Sequence, residues 1–432
     1  MERIAIIGAG IAGLGAAWAL DRVHDVTLYE AADRLGGHAH TVEVEDGNRS
    51  VAVDTGFIVY NEPNYPNLVR LFDTLQVPTE PSDMSFSVSI GDGTFEFTTR
   101  GAGVFAQRSN LTRPGMWRMM RDFRRFCREA PSILASSSGE SLGSYLDRSG
   151  YSDEFRLDLL LPMTAAIWSA GLDEMLAFPV VTLVRFLSNH SMLQIGSRPR
   201  WRTVSGGSRE YVSRLTAGFR ERTRVSTPVV AVERGPDGVV VRDLHGGIDR
   251  FDHVVFATHA DTTLSILGAG ATAPERGVLS AFRFQRNEAV LHRDPTLMPR
   301  RRAAWSSWNY VADGRGERDR SKPVSLTYWM NALQGLQTRQ PVFVTLNPLR
   351  QPRGPFTSFD YAHPQFDRTA IESQAAMTSI QGQQRTWFAG AWCGYGFHED
   401  GLRAGLEVAA ALGAPAPWGV EPIPALVGGH AA

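Results

Sequence analysis

The chain opens on an apolar run that gives way to glycines. Ile4, Ala5, Ile6 and Ile7 show no polar alternation, as expected of a strand covered on both faces. Gly8, Gly10 and Gly13 follow, and residues 14–20 continue as an alanine-rich helix. Residues 26–29 predict a second strand, which ends on Glu30, seventeen positions after Gly13. Residues 51–59 alternate and then turn apolar, as a strand entering a core does. Leu68, Leu71, Phe72 and Leu75 have helical spacing, and 86–97 alternates around Gly91-Asp92-Gly93 as a hairpin. Residues 116–128 predict a helix with Met116, Met119, Met120, Phe123, Phe126 and Cys127 on one broad face. Residues 157–186 are apolar and helical, broken at Pro162 and Pro179. Strands are expected at 227–234 and 239–243, paired across Pro236-Asp237-Gly238, and at 252–258, buried and parallel. Mixed strands at 288–292, 305–310, 324–330 and 342–346 predict a second sheet. A final strand and glycine-rich loop lead to a helix at 401–412, with Gly413 as its cap.

The opening unit carries chemistry. In a strand–G-x-G-x-x-G–helix unit the first glycine permits the tight turn, the second admits a pyrophosphate and the third lets helix pack on strand. The helix N-terminus offers unpaired N–H groups to phosphates, and an acid at the second strand's tip, here Glu30, suits a ribose diol. The alternative, a glycine turn in some other α/β unit, leaves Glu30 without a purpose.

Composition narrows the field. A formal charge of −1 gives no basic footprint for nucleic acid. Two cysteines, Cys127 and Cys393, imply no disulfide framework and fit a reducing, cytoplasmic setting, with no secretory signal before the first strand. The apolar stretch 159–172 is too short to span a bilayer. Arg118, Arg121, Arg124, Arg125 and Arg128 fill the second face of the 116–128 helix. That face is either the solvated side of a substrate-domain helix or a peripheral contact with the anionic inner face of a membrane. His253 and His259 flank the 252–258 strand and are read as solvated ends, and no His/Cys cluster has metal spacing.

After Glu30 the chain reads Ala31, Arg34, Gly36, Gly37, His38 and Thr41 in the order E-x-x-x-R-x-G-G-x-x-x-T. This resembles the second fingerprint of the flavin amine oxidase superfamily, which includes monoamine oxidases, phytoene desaturases and protoporphyrinogen oxidases. Further matches are Asp54-Thr55-Gly56, the Gly206-Gly207-Ser208 turn, the P-V-x-x-V-x-R run with Val229, and Ala257-Thr258. The closing motif runs from Phe388-Ala389-Gly390 through Trp392 to Gly401 and Leu402. One departure is Ala391, where relatives often carry Asp after F-A-G. The resemblance implies an α/β fold, with a Rossmann-type FAD-binding domain and an interleaved α+β substrate domain. The expected division is 1–85, 195–270 and 376–420 for FAD, 86–194 and 271–375 for substrate, and a tail from 421 to 432. Gly8, Gly10, Ile11, Ala12, Gly13, Gly56 and Phe57 join the residues above as the expected FAD contacts.

Within the superfamily, 54–89, 292–310 and 390–405 look like a bacterial branch associated with cyclopropane-fatty-acid-synthase-like methyltransferases and with desaturation of methylated acyl chains. That resemblance implies hydride transfer from a hydrophobic, lipid-like substrate to the flavin, with electrons passing to O2 or another acceptor. Amine or other small-molecule oxidation, or isomerisation without net redox change, stays open. Family amine oxidases commonly place a lysine by the flavin. Lys322, the sole lysine, sits in an RDRSKP turn, which counts against simple amine oxidation. Tyr60, Tyr395, His398 and Glu399 are the candidate catalytic groups, with His398 or Glu399 as base; each is equally readable as a loop or capping residue. A binding protein that had lost its flavin should show eroded fingerprints, whereas Glu30, Gly36, Gly37 and Gly401 are intact.

Overall fold

The apolar run at the N-terminus is the middle strand of a parallel sheet. In the computed structural model, which describes residues 1–135, 139–194, 199–314 and 324–422, Arg3–Ile7 lies between Asp25–Tyr29 and His253–Phe256. Thr223–Arg224 and Thr386–Phe388 complete the five strands on either edge. Ile4, Ala5 and Ile6 are fully buried, because helix Ile11–Leu20 covers one face and a three-stranded sheet, Val229–Gly235, Gly238–Asp243 and Ile248–Phe251, covers the other. Helix Ile11–Leu20 packs on one face, and helix His398–Ala411 packs on that helix.

Glycines let these two helices approach. A Cβ on Gly405 would lie 2.1 Å from the Ala12 carbonyl oxygen, and one on Gly15 would lie 2.6 Å from a Leu402 methyl. The C-terminal helix begins at His398, earlier than the expected Gly401, because the Asp400 carboxylate accepts the Phe397 N–H at 2.9 Å.

A seven-stranded mixed sheet forms the second layer, in the order Thr357–Gln365, Arg283–His292, Phe343–Leu346, Leu326–Trp329, Trp308–Ala312, Phe86–Ile90, Phe95–Thr98. The last two are the expected hairpin. Thr357–Gln365 has no counterpart in the hydrophobic pattern: it is an edge strand that mixes polar and aromatic residues and tolerates Pro364. Helices Pro114–Glu129, Leu161–Trp168 and Val180–Asn189 share one apolar core with this sheet. Pro162 does not break the helical run, because the π-helical turn Arg156–Leu160 before it passes directly into Leu161–Trp168.

The stretch 51–59 is not one strand. Arg49–Asp54 ends in a turn, and Val59–Asn61 pairs instead with Trp201–Val204. The turn is forced by Gly56, where a Cβ would lie 2.2 Å from the His38 carbonyl oxygen, and by Asp54. The buried Asp54 carboxylate accepts the Ser208 N–H, the Ser208 and Thr41 hydroxyls and the Gln334 amide. Burial pushes its pKa up to about 6.

Arginines decorate helix Pro114–Glu129, and most are neutralised locally. Arg118 pairs with Glu154, Arg121 with Asp122, and Arg125 and Arg128 with Glu129. Among the described residues no helix is long and apolar enough to cross a membrane. The run Arg300-Arg301-Arg302 is also tied down: Arg300 pairs with Asp92, Arg301 with the buried Glu96, and Arg302 lies 3.8 Å from the Trp305 ring centre.

One ion pair lies inside the protein. Arg234 and Glu275 meet at 2.5 Å with side chains 3% and 1% exposed. Replacing Arg234 with Met strands a buried carboxylate, so Arg234→Met should lower the free energy of unfolding by about 3–5 kcal/mol in urea titrations. A loss under about 1 kcal/mol would mean that water reaches Glu275.

Candidate functional site

The site starts at the turn after the first strand. Gly8 has φ +101°, and a Cβ there would lie 2.8 Å from the Ala257 carbonyl oxygen. A Cβ on Gly13 would lie 1.9 Å from the Gly8 carbonyl oxygen. Gly10 differs, since a Cβ there would meet nothing within 4 Å. Two of the glycines are therefore required by the chain's own packing, and the third leaves backbone bare for a ligand. Glu30 is fixed at the rim, accepting the Ala9 N–H at 2.7 Å and the Ala32 N–H at 2.8 Å.

A cavity of about 810 Å³ runs from this turn into the second layer. Gly8, Gly10, Ile11, Ala12, Glu30, Gly37 and His38 line its first part, together with Gly56, Phe57, Ala257, Thr258, Gly390 and Trp392. The remaining expected cofactor residues lie behind that wall. Gly13 and Gly36 serve the close approach of turn to helix, with Gly36 donating its N–H to the Ala9 carbonyl. Arg34 turns toward its own loop, donating to the carbonyls of Gly37 and Ala39. Thr55 bonds the Tyr361 hydroxyl at 2.7 Å. Val229 is buried in a separate three-stranded sheet, and Ala31 follows Glu30 outside the wall. Gly401 and Leu402 pack against Ile11 and Gly15.

The candidate catalytic groups separate in the same way. His398 lines the cavity, its ring stacked on Phe57 with centroids 3.7 Å apart and its Nε2 2.9 Å from the Tyr211 hydroxyl. Burial lowers its pKa to about 3, so the ring is neutral. Tyr60 is in the core between Tyr65 and Phe72. Glu399 points away from the cavity. Its oxygens accept the N–H groups of Asn67 and Leu68 and the Asn67 amide, capping helix Pro66–Leu75. Tyr395 lines a smaller adjoining cavity of about 260 Å³, with its buried hydroxyl lacking a partner. Lys322 lies outside the described residues.

Several wall residues carry no sequence signal of their own. Ala362, His363 and Pro364 reach the cavity from the edge strand that the hydrophobic pattern misses. His259, expected at a solvated strand end, instead stacks on Phe284 with centroids 4.2 Å apart and lines the cavity. His253, at the other end of that strand, is half-buried beside Trp387. Burial holds His38 well below its usual pKa, lowers that of His259, and takes His190 and His363 to about 4. The wall therefore offers neutral imidazoles, and among the described residues the buried Nε2 of His38 has no partner.

Residues 11–273 match the sequence model of the flavin-containing amine oxidoreductases. The chain belongs to that family. Members of the family bind FAD, and the site fits it: the bare backbone at Gly10, the fixed Glu30 carboxylate and the unpartnered His38 nitrogen face one continuous space. The Mycobacterium tuberculosis protein AofH, whose name assigns it to the flavin-containing monoamine oxidases, is 25% identical over 56% of this chain and 54% of its own length. The flavin-dependent L-tryptophan oxidase RebO of Lentzea aerocolonigenes is 41% identical over 13% of this chain and 12% of its own. The chain thus spans about half the length of AofH in that match. Among solved structures, a redesigned putrescine oxidase superposes with TM-score 0.67 at 15% identity, covering 95% of this chain and 98% of its own. The CLA-producing fatty acid isomerase from P. acnes gives 0.65 at 15%, and cyclohexylamine oxidase from Brevibacterium oxydans 0.65 at 17%, with the same coverage. These likenesses share the two-domain amine oxidase fold.

Two outcomes test the flavoprotein's site. Gly10→Val should abolish the flavin absorbance of purified protein while leaving its apo unfolding temperature unchanged, whereas Gly13→Val should lower both. Equal behaviour of the two variants would show that Gly10 does not face the ligand. The second concerns pH. Burial raises Glu399 from 4.5 to about 7, so the folded state keeps this proton longer than the unfolded chain does. Stability should therefore fall as pH rises from 4.5 through about 7. Glu399→Gln should flatten that slope in urea midpoints, leaving the part contributed by Asp400 and Asp54, both raised to about 6. An unaltered slope would mean that Glu399 is already ionised across that range.

Proposed function

We propose that this protein is an FAD-dependent oxidoreductase that dehydrogenates a hydrophobic substrate, an acyl chain of a lipid or fatty acid. The observation that supports this most is the character of the cavity beyond the nucleotide turn. Phe86, Phe97, Met119, Met120, Phe123, Leu159, Met163 and Ile167 line it, with Trp308 and Tyr328. Glu30, at the nucleotide end, is the sole acid among the described wall residues. A protonated amine entering this chamber would meet apolar walls and neutral histidines. It would be desolvated without a counter-charge, which is costly. A methylene chain loses nothing by the same transfer and gains about 0.8 kcal/mol per buried CH2.

In this reading the turn 8–12 holds the cofactor's phosphates by backbone N–H groups, Glu30 takes a ribose diol, and His38 Nε2 is left to meet a polar group of FAD. Bound FAD supplies a two-electron acceptor for a hydride leaving a substrate carbon. The chain's own part is to bury the tail, exclude water and hold the reacting bond against the cavity wall. His398, its pKa lowered to about 3 by burial, is a neutral ring already engaged with the Tyr211 hydroxyl, which suits positioning rather than charge or proton acceptance. Isomerisation without net redox change would return the hydride to a different carbon of the chain, and the fold likeness to the P. acnes isomerase makes it the second reading.

Anaerobic mixing separates these readings. Acyl lipids should bleach the flavin absorbance, whereas putrescine, cyclohexylamine and tryptophan should leave it unchanged. Bleaching by an amine alone would overturn the lipid reading, and a shifted double bond in recovered lipid without bleaching would favour isomerisation.

A further inference from the structure

Of the described residues that line the large cavity, three are exposed to solvent: Thr262 near the nucleotide turn, and Arg124 and Gln194 at the apolar end. Exposed wall residues mark openings. The apolar chamber therefore has a mouth between helix Pro114–Glu129 and residues 190–194, which follow helix Val180–Asn189. Arg124 stands in that mouth, adjacent to Phe123 and one helical turn beyond Met120, both of which line the chamber. The helix's other arginines are paired with Glu154, Asp122 and Glu129. Among the described residues Arg124 has no ion-pair partner, and the chamber behind it has no carboxylate to provide one.

We infer that Arg124 anchors the anionic head group of the substrate, a carboxylate or phosphate, while the chain behind it fills the chamber. The inference rests on the acyl-chain reading above and adds the head-group chemistry and the direction of entry. A guanidinium presents paired donors in a plane, which matches either oxyanion bidentately. Gln194, on the other side of the mouth, carries an amide able to donate a further hydrogen bond. An exposed ion pair by itself contributes little, so the buried tail supplies most of the affinity and the arginine supplies register. With the head fixed, the count of carbons from the head group sets which bond reaches the reactive end of the cavity.

The holoenzyme can be titrated with dodecanoate, methyl dodecanoate, dodecyl phosphate and dodecylamine, following the perturbation of flavin absorbance. Dodecanoate or dodecyl phosphate should bind about threefold more tightly than the methyl ester, and the tighter of the two identifies the head group. Arg124→Ala should erase that preference without changing the ester's affinity, and Arg124→Glu should turn it toward dodecylamine. If the chains bind the wild type but Arg124→Ala leaves the anion preference intact, the anchor is overturned and the acyl-chain reading stands. Should no dodecyl chain of any head group bind, the acyl-chain reading itself fails.

Discussion

The site depends on one close contact between two helices that are nearly four hundred residues apart. Ile11–Leu20 and His398–Ala411 approach until the backbone of one lies against the other, and side chains at Gly15, Gly401 or Gly405 would hold them apart. The contact brings the start of the second helix to the edge of the nucleotide turn. Phe397 and His398 can then share a wall with Gly10 and Ile11. Gly401 and Gly405 thus act on packing, while Gly390 of the closing motif lines the cavity itself.

The cavity built on this contact changes character along its length. At one end the wall is backbone and a fixed carboxylate, suited to phosphates and a ribose. At the other it is methionine, phenylalanine and leucine. Between them stand histidines that burial keeps uncharged, so the reacting region is polar without being ionic. Hydride chemistry suits such a place, since stray charge near the reacting carbon would oppose or misdirect the movement of electrons.

Much of this was legible from the chain. The strand, turn and helix at 4–20 and the acid at Glu30 follow from spacing and glycine alone, since each step there is local. The hairpin around 91–93 and the arginine-bearing helix were equally open to reading. What was hidden depends on distant partners. Glu399 resembles a base because it sits beside His398, yet its oxygens are taken by a helix start 332 positions away. His363 and Ala362 line the cavity from a strand whose mixed pattern gives no alternation to detect. Tertiary placement, not propensity, decided each of these.

The parallel sheet carries a consequence for synthesis. Its edge strand Thr386–Phe388 and the covering helix His398–Ala411 are made long after Arg3–Ile7, yet they complete a unit of which that strand is the centre. A nascent chain leaving the ribosome must hold that centre with one edge unpaired while most of the remaining residues are translated. Such exposed strand edges invite association between chains. Loss of Thr386–Phe388 and His398–Ala411 would therefore leave the N-terminal unit with a bare sheet edge and an uncovered helix.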